Sequence, residues 1–450
     1  MAKITSCITS ELDLFNDQNF QNVFRDASYN YYAANLNSPD ICLIEVDKSD
    51  RFLDLSKSFL AFTVRVYKIV NDIEVVPTNE KISLANNFIA TAFKQVQVSL
   101  DGEEIENSNT TYAIEDYIRR TLNETRDVKE TYLQNHMYYA DTPGQFNTFE
   151  TSSSKTEEIK VEGGSKKITV PVESNFGFVK RHQRLIDGKG EVEIRGPVGS
   201  SFFHNGKLLF KQTKLNLTLK KNDDAFALLG DKSFKFKIVK CGLWVRSVIP
   251  NDEIVDAFNS QILSSQIFYN SVKTKVSIFN FLGTEKEYTT KLNQVDLIPN
   301  RLILCFNDYD ALTSGSYDKN PFNFQHFGIR QISVRVNGSE YPYTNGIYFD
   351  FENNKSLDGY WTLFNGVQKP SFDSHIDLHA YKNGYFFLVL DLRHTDDCFE
   401  FKEINRSGSL YLTLTFDKNI QKSIGIVSYM EYNSRIIMEV NKDGTKKITK

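Results

Sequence analysis

The stretch Lys94-Gln95-Val96-Gln97-Val98-Ser99-Leu100-Asp101-Gly102-Glu103-Glu104 is matched further on by Arg330-Gln331-Ile332-Ser333-Val334-Arg335-Val336-Asn337-Gly338-Ser339-Glu340. A basic residue, a glutamine, alternating apolar residues, an Asx-Gly pair and a glutamate recur in register, at an offset of 331 − 95 = 236. The alternation puts Val96, Val98 and Leu100 on one face of a strand, and the Asx-Gly pair supplies a tight hairpin turn. A second match, LNLTL at 215–219 with LYLTL at 410–414, follows in the same order at an offset of 410 − 215 = 195. The offsets differ by 236 − 195 = 41, which a polar insertion at 145–173 would largely absorb. Strand–turn segments resemble one another, and LNLTL alone proves nothing. The longer match fixes alternation, turn and flanking charge together, so the economical reading is one β-fold present twice in tandem.

The rest of the chain agrees with a β-rich reading. Period-2 patterns occur at 59–68, 234–238, 272–279, 301–306, 329–336 and 385–390, and helical spacing is rare. The best helix is 112–122, where Ile114, Ile118 and Leu122 recur every four residues; 251–267 and 359–366 are weaker. Aromatic residues make up 13% of the 450, which favours half-buried pleated surfaces over helices. About eight strands per copy, with a helix after the fourth strand of the first, suit the jelly roll, two packed sheets with Greek-key connections. The expected fold class is therefore all-β, two tandem eight-stranded jelly-roll β-sandwiches with few short helices. The expected division is an N-terminal arm at 1–30, jelly roll 1 at 31–250, a linker at 251–270 and jelly roll 2 at 271–450. The polar 145–173 segment reads as an exposed loop, and the 442–450 tail as frayed.

Charge and motifs exclude more than they suggest. A net charge of −4 argues against a protein whose main task is gripping nucleic acid. The start of the chain lacks the apolar core of a signal peptide, and no apolar stretch is long enough to span a membrane. Cys7, Cys42, Cys241, Cys305 and Cys398 are scattered, without metal spacing, and read as free buried thiols. His375, Asp377 and His379 would share one face of a strand, as in metal-binding jelly rolls; with Ile376 and Leu378 between them, an ordinary strand with its polar face outward is the preferred reading. His136, His182, His204 and His326 are isolated and read as structural, and Asp223-Asp224 and Asp396-Asp397 as loop carboxylates. The basic run 180–184 and the tail lysines read as solvated charge. No catalytic, cofactor or metal residues are assigned.

Several segments resemble the double jelly-roll, hexon-type major capsid proteins of Polinton (Maverick) elements and adintovirus-like DNA viruses, which also occur as integrated copies in animal genomes. The most specific is Gly315-Ser316-Tyr317-Asp318-Lys319-Asn320-Pro321-Phe322-Asn323-Phe324-Gln325-His326-Phe327. Others are Ser10-Glu11-Leu12-Asp13-Leu14-Phe15, residues 88–102 with the 112–122 helix, Phe176-Gly177-Phe178-Val179-Lys180-Arg181, Asp224-Ala225-Phe226 with 236–248, and 384–392. They span most of the chain in family order; 145–173 matches least.

The resemblance implies two jelly rolls side by side with strands roughly perpendicular to a capsid surface. Three chains would form a pseudo-sixfold homotrimer tiling an icosahedral shell, with neighbouring capsomers and minor or penton proteins as partners. It implies no enzymatic activity, no cofactor, no membrane insertion and no specific nucleic-acid binding. The chain would be made in the host cytoplasm and end in the virion, its first thirty residues an arm reaching under the subunit or to a neighbour. The alternatives are a tandem β-sandwich binding carbohydrate or a receptor, and a cupin-like metal enzyme using His375, Asp377 and His379. A lectin-like protein would show exposed tryptophan platforms, and there are only two tryptophans, Trp361 and Trp244, the latter expected to be buried.

Overall fold

The computed structural model describes residues 23–151, 154–161, 164–171, 173–262, 265–366, 375–394, 403–441 and 445–449. Eight strands build the first sandwich: β1 (Phe24–Ala33), β2 (Ile41–Val46), β3 (Phe52–Val70), β4 (Phe93–Leu100), β5 (Glu103–Asn107), β6 (Glu191–Gly196), β7 (Leu215–Lys221) and β8 (Lys235–Pro250). Eight more build the second: β9 (Ile267–Phe281), β10 (Glu287–Lys291), β11 (Arg301–Asp308), β12 (Ile329–Val336), β13 (Ser339–Tyr341), β14 (Leu388–Asp391), β15 (Leu410–Phe416) and β16 (Ile424–Val440). The sheets of the first run β1-β8-β3-β6 and β2-β7-β4-β5; those of the second run β9-β16-β11-β14 and β10-β15-β12-β13. Each strand of the second roll thus occupies the place of the strand eight before it. Every ladder is antiparallel, and each sheet gains one short extra strand. This is a double jelly roll.

The repeat that suggested the fold lies at its centre. The two copies of the longer match are β4 and β12, and the two copies of LxLTL are β7 and β15. In the first roll Val98 faces Leu217 across the ladder, and in the second Val334 faces Leu412. Adding 236 to 98 and 195 to 217 gives this second pair, so the two matches share one hydrogen-bonding register. The turns are equivalent too. Asp101, Gly102, Asn337 and Gly338 all have positive φ, the type I′ geometry that joins strands by two residues. Most of the offset change falls between β5 and β6: it is 339 − 103 = 236 before that connection and 388 − 191 = 197 after it.

Alternation decides which face is buried. On β3, Leu60, Phe62, Val64 and Val66 are buried, while Ala61, Thr63 and Arg65 are half-exposed. On β7, Leu215, Leu217 and Leu219 point into the same core.

Some segments depart from expectation. Residues 24–30, read as arm, belong to β1, which pairs with β8 from Phe24↔Pro250 to Ala33↔Gly242. Within the polar insertion, Ser154–Val161 and Gly164–Pro171 form an antiparallel hairpin rather than a loop. After the single turn at Phe88–Thr91, the first longer helix, α1 (Tyr112–Asn123), follows the fifth strand and not the fourth, because the Asp101-Gly102 turn leads straight into β5. Helix α2 (Phe176–Asp187) precedes β6, α3 (Asp252–Ile262) joins the rolls, and α4 (Leu357–Gly366) and α5 (Leu378–Lys382) precede β14. The tail is ordered as a strand, Lys446–Thr449, against β16. Its Lys446 ammonium, almost fully buried, donates to the Lys211 carbonyl (2.8 Å) and to Thr213 Oγ1 (2.6 Å) of the first roll.

The tail therefore fastens one roll to the other. Hydrogen bonds from a charged donor are worth about 1.5–3 kcal/mol. Lys446→Ala is expected to lower unfolding stability in urea by that amount. Lys447→Ala, on an exposed neighbour, is expected to change it by less than about 0.5 kcal/mol.

Candidate functional site

Several of the segments carrying the resemblance, the 112–122 helix, 176–181, Phe226, 320–324 and Tyr385, far apart in the chain, meet at the junction between the two rolls, while 10–15 lies outside the described residues. Helix α1 lies there, buried on both sides. Its apolar face, Ile114, Tyr117, Ile118 and Leu122, belongs to the core of the second roll, although the helix is connected to the first. The Tyr117 ring stacks on Phe322 of the Asn-Pro-Phe-Asn-Phe segment, with centroids 4.0 Å apart and planes 10° from parallel. Phe226 meets Phe322 edge-on at 6.3 Å. Such pairs contribute about 0.5–1.5 kcal/mol beyond the area they bury.

The other face of α1 is charged and faces the first roll. Asp116 accepts from Asn87 Nδ2 (2.9 Å) and pairs with Arg119 and Arg120. Burial pushes its pKa up, but Arg120 and Arg119 outweigh that and hold it well below the usual carboxylate range. The Tyr112 hydroxyl accepts from the Gly199 amide at 2.9 Å. Helix α1 is thus an apolar wedge for one roll and a polar bracket for the other.

Beside it is a buried node at Asp141. Arg181 of α2 donates through Nη2 to Asp141 Oδ1 (2.8 Å), and both side chains are fully buried. Its remaining donors reach the Leu84 carbonyl (2.9 Å) and the Tyr139 carbonyl (2.8 Å). Asn175 caps α2 by accepting from the Gly177 and Phe178 amides, and its Nδ2 donates to Asp141 Oδ1 at 2.8 Å. Gly177 has no room for a side chain, since a Cβ there would lie 2.7 Å from the Tyr139 and Ala140 carbonyl oxygens. From the second roll, Asn320 Nδ2 reaches Asp141 Oδ2 (3.3 Å) and the Tyr385 hydroxyl donates to the Asp141 carbonyl (2.8 Å). Phe-Gly-Phe-x-x-Arg, Asn-Pro-Phe-Asn-Phe and Gly-Tyr-Phe-Phe therefore all serve one junction. Its chemistry is structural: it fixes the two rolls in one relative orientation.

This overturns the reading of 180–184 as solvated charge for Arg181 and His182, while Lys180 and Gln183 are exposed. Arg181 and His182 are buried, with His182 Nδ1 2.8 Å from the Ile82 carbonyl oxygen. The signal was present as an Asn175 cap followed by Phe178, Arg181, His182 and Leu185 at helical spacing.

The other candidate groups do not converge. His375-Ile376-Asp377-Leu378-His379 is not a strand face. Asp377 caps α5 by accepting from the Ala380 amide (2.7 Å), so it is committed to the backbone, and His379 lies against Asn383. Among the described residues, no three His, Cys, Asp or Glu side chains gather as metal ligands would. Asp223 and Asp224 turn to different lysines, Lys94 and Lys221; Asp396 and Asp397 lie outside the described residues. Cys42, Cys241 and Cys305 are free and buried, and Cys7 and Cys398 lie outside the described residues. Trp244 is half-buried rather than buried: it lies against Phe59 and Tyr31 on the outer face of the first roll. Trp361 is exposed. No helix among the described residues is long and apolar enough to cross a membrane.

His136 and His204 lie near the charged face of α1. Burial first, then Arg120 for His136 and Arg119 with Arg120 for His204, lowers each pKa to about 3 against a weaker opposing pull from Asp116. Neither ring nitrogen of His136 has a hydrogen-bond partner among the described residues.

No family model matches the chain. An uncharacterized protein of Caenorhabditis elegans is 20% identical over 386 residues, covering 83% of this chain and 84% of that protein. Among solved structures, a chain of the Sputnik virophage aligns over 100% of this chain and 93% of its own, with a TM-score of 0.63 at 11% identity. The Faustovirus major capsid protein aligns over 95% and 92% (TM-score 0.55, 9% identity). The mavirus major capsid protein aligns over 100% and 94% (TM-score 0.52, 11% identity). The likeness runs the whole length of the chain and through both rolls.

The junction yields two predictions. Asp141→Ala leaves the Arg181 charge buried without its partner and is expected to cost about 3–5 kcal/mol in urea unfolding, whereas Asp141→Leu with Arg181→Met is expected to cost less. The histidines set a pH dependence. Their folded pKa values lie below the ordinary 6.5, so the unfolded chain binds more protons between about pH 6.5 and 3. The contribution of the neutral rings is fully present above pH 6.5 and is lost as pH falls towards 3. His136→Gln is expected to flatten the decline of the thermal midpoint between pH 6.5 and 4.

Proposed function

We propose that this chain is a structural major capsid protein without enzymatic activity. Three copies would form a pseudo-hexameric capsomer, and the capsomers would tile an icosahedral shell. The observation that carries this reading is the junction. Two equivalent sandwiches are locked by a buried helix, stacked rings and the Asp141 node, so each chain supplies two similar wall units in a fixed orientation. Three such chains around a threefold axis place six sandwiches in a near-hexagonal outline, the shape that packs a surface without gaps. The full-length likeness to virus capsid structures supports it. The motifs shared with Polinton and adintovirus-like capsid proteins, with a relative in an animal, favour that branch. Neighbouring capsomers and minor or penton proteins would be the partners, and the chain would be made in the host cytoplasm before joining the virion.

The outer sheet of the first roll offers contact area of the right kind. Tyr29 and Tyr31 stand exposed on β1 beside Phe59 and Trp244, and aromatic rings supply large contacts at low conformational cost. The mass of the purified chain tests the proposal. A trimer of three times 51.8 kDa, about 155 kDa, with a hexagonal outline in negative stain is expected. A stable monomer at micromolar concentration would overturn it.

A further inference from the structure

We propose that Cys42 and Cys241 are a paired redox site whose oxidation to a disulfide ties the two sheets of the first roll together. The two cysteines lie 241 − 42 = 199 residues apart and on opposite sheets, Cys42 on β2 and Cys241 on β8. Alternation turns both inward. Cys42 is buried with Ile44 and Val46 while Ile41 and Glu45 are exposed, and Cys241 is buried with Leu243 and Val245. One crossing of the chain from sheet to sheet brings them together. The Ala34 amide donates to the Cys241 carbonyl (2.9 Å), and the next residue, Asn35, pairs with Leu43, the neighbour of Cys42. The two side chains meet there in a thiol–thiol hydrogen bond. Cys305 of β11 is buried too, but burial alone raises its pKa and no second thiol acts on it. The second roll carries no cysteine on the equivalent strands β10 and β16, so the cross-link is confined to the first.

The pair has the asymmetry that disulfide formation uses. The hydrogen bond from Cys241 lowers the Cys42 pKa against the opposing effect of burial, and the same bond, together with burial, raises Cys241 well above the ordinary thiol value. The thiolate is the reacting form, so Cys42 is the nucleophile. Access is from the edge of its sheet. Outside β2 lies only the short strand Asn35–Ser38, paired at two positions across an irregularity, and Ile41 beside the thiol is 39% exposed. Thinly held edges of this kind open locally at low cost, and hydrogen peroxide is small enough to enter. The Cys42 thiolate attacks a peroxide oxygen and the O–O bond breaks; the sulfur is oxidised to a sulfenic acid, and the departing hydroxide takes up the proton the thiol released. The Cys241 sulfur then attacks the Cys42 sulfur, the S–O bond breaks, and the leaving hydroxide takes the Cys241 proton. Two thiols and one hydrogen peroxide become one disulfide and two waters. Such a pair stays reduced where glutathione keeps thiols reduced and closes outside such a compartment.

The pairing rests on the first roll and not on the capsid reading, and its test is separate from the oligomer mass. The full-length chain is reduced, exposed to hydrogen peroxide, alkylated under denaturing conditions and digested with trypsin. The expected product is the peptide 26–48, which carries Cys42, joined to Cys241-Gly242-Leu243-Trp244-Val245-Arg246 with the loss of two hydrogens and released by dithiothreitol. Closing a loop of 199 residues is expected to speed migration of the denatured, unreduced chain in a gel and to raise the thermal midpoint of the native chain by a few degrees. Cys42→Ala and Cys241→Ala are each expected to remove both effects. In Cys241→Ala the Cys42 sulfenic acid is expected to be trapped by dimedone, whereas Cys42→Ala is expected to leave Cys241 unlabelled. Alkylation of both thiols after peroxide treatment, conversion of Cys42 to sulfinic acid without a link in the unaltered chain, or a link from Cys42 to Cys7, Cys305 or Cys398 would overturn the proposal. So would a link found between isotopically light and heavy chains in a mixture of the two.

Discussion

The fixed relation of the two rolls depends on a carboxylate and a guanidinium held away from water. Asp141 and Arg181 are fully buried, and desolvating such a pair costs several kcal/mol per ion before the attraction between them is counted. The cost is offset because the donors of Arg181 and the acceptors of Asp141 are matched. Arg181 binds two backbone carbonyls besides the carboxylate, and Asp141 receives Asn175 from its own roll and Asn320 from the other. A polar network of this kind adds little to stability compared with a well-packed apolar substitute. Its effect is on geometry: an apolar contact between two sandwiches can slide, whereas a carboxylate that holds Arg181, Asn175, Asn320 and Asn86, four partners from three segments, has one arrangement that satisfies all of them.

Helix α1 extends the same principle. A helix buried all round is ordinarily apolar all round. This one is apolar towards the second roll and charged towards the first, where Arg119 and Arg120 balance Asp116. Glu115 departs from that division: it bonds Thr274 of β9, and burial, with the Glu106 charge adding to it, raises its pKa well above the ordinary value against a weaker opposing pull from Arg119. The wedge belongs covalently to one sandwich and energetically to the other. Neither roll completes its core alone, because Tyr117, Phe146 and Phe178 from the first half lie within the cluster that holds the second, and Tyr269, Ile436 and Met438 from the second half lie within that of the first.

What was legible in the sequence followed from backbone periodicity. Lys94–Glu104 and its copy could be read because alternation, turn type and flanking charge are local properties, and local properties marked β4 and β12 as two copies of one strand and turn, while their pairing with β7 and β15 is a tertiary fact. The 112–122 helix was legible for the same reason. The 154–171 hairpin was not, since its apolar alternation is confined to Ile159 with Val161 and Ile168 with Val170, too short a pattern to stand out among Lys, Glu, Ser and Thr. Asp377 was misread because His-x-Asp-x-His has strand spacing, while the cap it makes to Ala380 is also local but competes with that pattern. Arg181 was misread because burial of a charge is a tertiary fact. The helical spacing after Asn175 marks that face, but its partner Asp141 lies 40 residues away and no local pattern supplies the counter-ion.

The junction also constrains how similar the six sandwiches of the proposed capsomer can be. The connection between β5 and β6 of the first roll carries α1 and α2 into the junction, while the equivalent connection in the second roll carries α4 and α5. The contact within a chain is therefore made by buried ions and stacked rings. A contact between chains must be made by what remains outside, the Tyr29–Tyr31 face and the exposed loops among it. Contacts of the first kind are permanent because breaking them strands a charge in an apolar interior. Contacts of the second kind expose only rings and solvated polar groups when they part, so they form and separate at modest cost. An assembling shell needs that difference. Wrong contacts between subunits must come apart and be remade, while the two-roll unit being placed must not change shape in the process.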